Sequence, residues 1–131
     1  MNDTAQDIVL DASAMVDLLT AAANAAQIRD RLVDSTVHVP AHFDAEVLSA
    51  LGLLARAEEL AVDEVPPLLN ALGRAPFSRY PLTDLLEGAW SRHESLRLVD
   101  ALYVELAERL AVPLLTTDQR LSKAYPGALL P

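Results

Sequence analysis

Short apolar runs that predict buried strands alternate along this chain with segments whose apolar positions repeat at helical spacing. Residues 7–11, DIVLD, and residues 36–40, TVHVP, are rich in β-branched residues, and each run ends at a polar residue or a proline. Residues 112–117, VPLLTT, have the same character. Residues 79–82, RYPL, predict another short strand, and Pro81 places it at a sheet edge or a strand end.

The segments between these strands have the 3.6-residue periodicity of amphipathic helices. Residues 12–32 predict a helix that is broken once near Thr20. Residues 41–60 predict a long helix whose buried face includes Phe43 and Leu51. Further helices are predicted at residues 63–74, 83–95, 98–110 and 118–125.

Strands that alternate with helices in this way are typical of a parallel sheet covered by helices on both faces. We therefore predict an α/β fold, in which a three-layer α/β/α arrangement surrounds a short parallel central sheet. The length of 131 residues suits a single domain over residues 1–131. In such sheets the ligand site lies beyond the carboxyl ends of the strands.

The composition excludes several classes of protein. Hydrophobic residues make up 52% of the chain, too many for a disordered protein, yet no run approaches the roughly 20 apolar residues that cross a bilayer. The absence of cysteine excludes a disulfide scaffold, a thiolate metal site and a thiol nucleophile. The start, MNDTAQD, lacks the basic flank of a secretory signal, so we expect a cytoplasmic protein without membrane partners.

The net charge of −9 leaves two kinds of partner open. An acidic surface repels a phosphate backbone on average, unless a bound cation or a local arginine cluster reverses the field. The same charge would attract a basic protein. Motifs for nucleotide phosphates and the serine nucleophile elbow are absent. A phosphoacceptor receiver domain shares the fold class and an acidic pocket but would need a lysine opposite the aspartate, and the position of the only lysine, Lys123, does not decide the matter.

Three aspartates lie at strand ends or helix starts. Asp11 ends the first predicted strand, Asp118 ends the last, and Asp100 lies in the first turn of its helix. Each position also suits helix capping or complementation of the helix dipole. Since the carboxyl ends of parallel neighbours share one edge of a sheet, Asp11 and Asp118 could equally face one pocket.

Capping does not explain Glu46, which lies near the buried face of its helix with no Lys or Arg three or four residues away. It either reaches solvent or joins the three aspartates. Glu105 and Glu108, by contrast, are expected on a solvated helix face. Carboxylates from four elements would suit Mg²⁺ or Mn²⁺, which can activate water for phosphodiester cleavage. Without a cation, such crowded carboxylates would repel one another.

Three segments of the chain resemble the successive motifs of PIN-domain ribonucleases, and more narrowly those of the VapC toxins of bacterial toxin–antitoxin pairs. They are VLDASAMVDLL at 9–19, VPAHFDAEVLSAL at 39–51 and LVDALYVELAERLAVPLLTTDQRL at 98–121. The likeness runs from about residue 8 to 124. It implies a PIN fold and endonucleolytic cleavage of RNA that depends on Mg²⁺ or Mn²⁺.

The resemblance also implies roles for particular residues. The residues that it assigns as metal-holding and catalytic are Asp11, Glu46, Asp100 and Asp118. The aspartates would hold the cation directly or through water, and the glutamate would complete the site or orient the attacking water. Small hydroxyl residues beside the acids fall on Ser13 and Thr117, whose alternative role is capping or turn formation.

Basic residues near the acids have less defined places in the resemblance. His42 matches a residue frequent in this branch, and a packing or supporting polar role is expected of it. Arg92 and Arg97 are both candidates for an arginine that often precedes the third acid.

The same resemblance implies a VapB-type antitoxin as partner, with an arginine that enters the acidic pocket, and a homodimer. The apolar stripes of the early helices could serve these contacts or could simply be core. The alternative function is a non-catalytic PIN-like binding module that holds a basic protein partner.

Overall fold

The computed structural model describes residues 6–131 and has a five-stranded, wholly parallel sheet at its centre. The strands are β1 (Gln6–Leu10), β2 (Ser35–Pro40), β3 (Ser78–Tyr80), β4 (Leu114–Leu115) and β5 (Ala128–Leu129). Their order across the sheet is β3-β2-β1-β4-β5. The predicted α/β fold with a short parallel sheet is confirmed. The polar start and residues 1–5 of the predicted domain lie outside the described part of the chain.

Seven α-helices connect and cover these strands within the described range. They are α1 (Ala12–Leu19), α2 (Ala25–Leu32), α3 (Phe43–Arg56), α4 (Val65–Arg74), α5 (Leu86–Trp90), α6 (Leu98–Leu110) and α7 (Gln119–Ala124). Single 3₁₀ turns precede α4 and α5. The predicted break near Thr20 is confirmed, because α1 ends at Leu19, Thr20 is its C-cap residue and Ala21 adopts a left-handed conformation (φ 55°). Across residues 6–131, no helix has both the length and the apolar character of a membrane span.

One predicted helix is shorter in the structure, and one short strand of the structure has no counterpart in the prediction. The helix expected at residues 83–95 is reduced to α5, and residues 91–95 form hydrogen-bonded turns instead. These five residues, SRHES, include no apolar side chain, so continuing the helix would add no buried face. Strand β5 was not predicted, because two residues are too few to show alternation.

The strand order reverses next to β1. The chain passes from β1 through β2 to β3 on one side of the sheet, whereas β4 and β5 lie on the other side. Because parallel crossovers are right-handed, the helices of the two halves lie on opposite faces. Leu10 pairs with Leu115, so the carboxyl ends of β1 and β4 lie side by side where the order reverses. This is the position at which open parallel sheets bind ligands.

Helix α6 is the most deeply buried helix, because every residue from Ala101 to Ala107 is buried. It packs against β1 and β2 and also against α5. Helical spacing in the sequence predicts an apolar stripe on this helix, formed by Val99, Leu102, Tyr103, Leu106 and Leu110. Tyr103 and Leu106 are buried as this stripe predicts, but Val99 is exposed.

The prediction that Glu105 lies on a solvated surface is wrong. Glu105 is buried and accepts hydrogen bonds from Arg92 Nη1 at 2.5 Å and Arg109 Nε at 2.6 Å. Glu108 is exposed as expected, although it is also ion-paired with Arg92. Gly88 allows this approach of α5 to α6, since a Cβ atom there would lie 2.0 Å from Glu105 Cδ. The Glu105 carboxylate can be buried here because the side chains of Arg92 and Arg109 pair with it.

Candidate active site

Asp11 follows β1 and stands at the N-cap position of α1, but its carboxylate makes no capping hydrogen bond. Instead, Oδ2 accepts hydrogen bonds from the hydroxyls of Ser13 and Thr116, both at 2.7 Å. Only 6% of Asp11 is exposed. The carboxylate is therefore held at the end of the sheet by two neutral donors, with no cation paired to it among residues 6–131.

Thr116 is a site residue that sequence reasoning missed. It is fully buried just beyond β4, and extending the Leu10–Leu115 register by one residue places it beside Asp11. The predicted Thr117 lines the pocket and donates its backbone N–H to Ser13 Oγ at 3.2 Å. The register could have identified Thr116, but register is not visible in the order of residues along the chain.

Glu46 lies in the first turn of α3, where two side chains approach its carboxylate. The Tyr103 hydroxyl donates to Oε1 at 2.7 Å, and His42 Nε2 lies 3.6 Å from the same oxygen. The His42 ring packs against the Tyr103 ring at a centroid distance of 4.9 Å, and Nε2 lies 3.0 Å from the Val99 carbonyl oxygen. His42 thus packs between the first turns of α3 and α6.

Asp100 lies in the first turn of α6 and accepts a hydrogen bond from Arg97 Nε at 3.2 Å. Arg97 is one of the residues that line the pocket with Asp100. Arg92, the other candidate arginine, lies in the ion cluster with Glu105 and does not line this pocket.

Asp118 does cap a helix. Its Oδ1 accepts hydrogen bonds from the backbone N–H groups of Arg120 at 2.9 Å and Leu121 at 3.4 Å, at the N-terminus of α7. The side chain nevertheless lines the same pocket as Asp11. Capping and pocket lining, the two alternatives left open by the sequence, are therefore combined in one residue.

All four acids named from the sequence line one open pocket of about 370 Å³ at the carboxyl ends of β1 and β4. Burial raises the pKa of Asp11, hydrogen bonds from Thr116 and Ser13 act against that rise, and the charges of Asp100 and Glu46 add to it. Burial, the hydrogen bond to Glu46 and the charge of Asp11 raise the pKa of the Tyr103 phenol. The pocket therefore concentrates negative charge that a cation would neutralise.

The donor set fits a hard divalent cation, because the acidic side chains around the pocket offer only oxygen atoms. Within residues 6–131, however, no three acidic or histidine side chains are close enough together to form a ready-made ligand set. Mg²⁺ commonly keeps several of its water molecules in proteins. The arrangement therefore suits a hydrated ion held partly through water.

The sequence matches the model of the PIN domain over residues 8–125, so the chain belongs to the PIN domain family. Ribonuclease VapC3 of Mycobacterium tuberculosis is 53% identical over 124 residues, which cover 94% of this chain and 90% of that protein. Ribonuclease VapC12 of the same organism is 36% identical over 118 residues, with 90% and 92% covered. The family resemblance found in the motifs is confirmed.

The fold also matches a solved structure. The crystal structure of PAE2754 from Pyrobaculum aerophilum aligns with a TM-score of 0.71 at 23% identity, over 95% of this chain and 83% of that one. The two chains therefore share a fold although their sequence identity is low.

Proposed function

We propose that this protein is a VapC-type endoribonuclease that hydrolyses RNA phosphodiesters and acts as the toxin of a type II toxin–antitoxin pair. The observation that carries the proposal is the convergence of Asp11, Glu46, Asp100 and Asp118 on one pocket at the reversal of strand order. Similarity to ribonucleases of the VapC type over nearly the whole chain supports the reaction class.

The acids of the pocket divide the work by position. Asp11, Asp100 and Asp118 would hold Mg²⁺ or Mn²⁺, directly or through water, and Glu46 would complete the metal site and orient the attacking water. The bound cation supplies activation of that water and polarisation of the scissile phosphate. That water would form the new bond to phosphorus as the P–O3′ bond breaks, leaving a 5′-phosphate and a 3′-hydroxyl, so no nucleophilic side chain of the protein would be required.

Charge explains why RNA binding depends on the cation in this proposal. The chain carries a net charge of −9, and among residues 6–131 the only cationic side chain that lines the pocket is that of Arg97. Asp17 also lines the pocket, so a phosphate that approaches its five carboxylates is repelled unless a divalent ion reverses the local field. Arg97, which is 62% exposed at its side chain, is placed to help hold the substrate once the cation occupies the acids.

The same pocket would accept an arginine of a VapB-type antitoxin, since a guanidinium pairs with carboxylates in a bidentate manner. Its charge would take the place of the cation and stop cleavage. We further propose a homodimer, which light scattering after size exclusion would test. A strictly monomeric mass at working concentrations would contradict the dimer without affecting the cleavage proposal.

Cleavage mapping on total bacterial RNA tests the function. The purified protein should cut RNA in Mg²⁺ or Mn²⁺ and should not cut in EDTA. Asp11→Asn should abolish cleavage while the protein remains folded. Asp44→Asn is a matched control, because Asp44 pairs with Arg79 and does not line the pocket.

Unchanged cleavage by Asp11→Asn would refute the assignment of the site. No cleavage by the wild type in either metal, together with tight binding of an arginine-rich peptide, would support the non-catalytic binding module instead.

A further inference from the structure

Tyr103 combines complete burial with a polar contact to the acidic pocket. It lies on α6 one turn after Asp100, within the apolar stripe, and its side chain is fully buried. Its hydroxyl reaches α3, 57 residues away in sequence, and donates to Glu46 Oε1 at 2.7 Å. A buried phenol needs some hydrogen-bond partner, and here that partner is a carboxylate of the proposed active site.

This hydrogen bond restrains a side chain that has few other restraints. Glu46 is 31% exposed at its side chain, and the nearby His42 Nε2 lies 3.6 Å away, beyond hydrogen-bonding distance. Among the contacts within residues 6–131, Oε2 of Glu46 accepts no hydrogen bond. Tyr103 therefore holds one carboxylate oxygen and leaves the other available at the pocket.

We propose that Tyr103 is a positioning residue that sets the orientation of Glu46 for metal binding and RNA hydrolysis. The inference rests on the proposed function of the acidic pocket. Tyr103 suits this role because it is rigid: its ring is enclosed in the core and packs against His42.

Tyr103→Phe tests the proposal, because it removes one oxygen atom and keeps the ring. We expect kcat for RNA cleavage to fall about 10- to 100-fold, the usual effect of removing a partner that orients a metal ligand. KM for RNA should change little, since the lost contact acts on the water and not on the substrate. The Mn²⁺ affinity of the protein without RNA, measured from the electron paramagnetic resonance of free Mn²⁺, should weaken over a similar range.

Tyr80→Phe is the matched control. The Tyr80 hydroxyl also makes a 2.7 Å hydrogen bond, to His38 Nδ1, but it lies outside the acidic pocket. This variant should keep wild-type kcat and Mn²⁺ affinity. In a double-mutant cycle, adding Tyr103→Phe to Glu46→Gln should cause little further loss, because the two residues act as one unit.

The outcomes separate this inference from the proposed function. If the wild type does not cleave RNA, the proposed function fails; if it does and Tyr103→Phe matches its kcat and Mn²⁺ affinity, only the positioning role fails. A lower melting temperature with both parameters unchanged would show a purely structural role and overturn the proposal. If Tyr103→Phe does not fold, proton NMR of the wild type decides: the buried Tyr103 hydroxyl resonance should shift when Mg²⁺ is added, and an unmoved resonance overturns the proposal.

Discussion

Replacing Glu105 with glutamine should destabilise the fold, because it removes the charge that joins Arg92 and Arg109. The side chains of Glu105 and Arg92 are only 12% and 18% exposed. Their hydrogen bond should therefore contribute about 1.5–3 kcal/mol to the free energy of unfolding, the usual range for bonds to charged groups. Arg109 is 47% exposed, and its pair with Glu105 adds about 0.3–0.5 kcal/mol. We expect a loss of about 2 kcal/mol in the free energy of unfolding, since the glutamine oxygen can still accept one bond.

For a chain of this size, that loss corresponds to a fall of roughly 6–10 °C in the melting temperature. Urea unfolding followed by circular dichroism at pH 7 would measure it. Glu108→Gln is the matched control, because Glu108 pairs with the same Arg92 but is 54% exposed at its side chain. Glu108→Gln should lower the free energy of unfolding by less than about 1 kcal/mol.

The pH dependence of the free energy of unfolding gives a second measure of how strongly Glu105 interacts with Arg92 and Arg109. Burial acts to raise the pKa of Glu105, but the hydrogen bonds and charges of Arg109 and Arg92 outweigh it and hold the pKa below its ordinary value of 4.5. The stabilisation is therefore fully present above pH 4.5 and is lost as the pH falls through the lowered pKa. Wild type and Glu105→Gln should converge in stability on acidification. A difference below about 0.5 kcal/mol at pH 7, or a gap that does not narrow in acid, would refute the reasoning.

Three further predictions concern the pocket. Without metal, Asp11→Asn should raise the melting temperature by a few degrees, because burial and the charges of neighbouring acids raise the pKa of Asp11. This gain should shrink as the pH falls through the raised pKa, and a gain that stays constant in calorimetry across pH would contradict the prediction. Thr116→Val should lower cleavage about 10- to 100-fold by removing a donor to Asp11, whereas Thr116→Ser should retain activity, a contrast that single-turnover assays can check. Asp118→Asn should lose cleavage but keep the cap of α7 and wild-type thermal stability. Asp118→Ala should lose cleavage and also about 1 kcal/mol of the free energy of unfolding in urea. Equal stabilities of the two variants would show that the cap contributes nothing.

Local patterns were sufficient for most of the elements. The strands β1 and β2 are recognisable because each is a short run with apolar β-branched residues, Ile8 and Val9 in β1 and Val37 and Val39 in β2. The break between α1 and α2 was also predictable. So was the edge position of β3, because Pro81 stands just beyond that strand. Elements that depend on long-range contact were not: β5 exists because two residues pair with β4, and α5 is short because nothing buries the polar residues after it.

Glu105 and Thr116 show why part of the pocket and core escaped prediction. Glu105 is polar and falls outside the apolar stripe, but Arg92 reaches it from the turn after α5, 13 residues earlier in the chain. Thr116 and Thr117 are chemically identical neighbours, and only the pairing of β4 with β1 selects the one that reaches Asp11. In both cases the deciding contact joins residues on different elements.

The alternation of strands and helices can be read from the order of residues alone, as can the carboxylates at strand ends and in first helical turns. These features follow from side-chain periodicity and local capping chemistry, which act over a few residues. The folded arrangement of the elements is what brings the four acids to one pocket, Thr116 to Asp11 and Tyr103 to Glu46. Such contacts depend on strand order, register and helix packing, because these set the distance between side chains that are far apart along the chain.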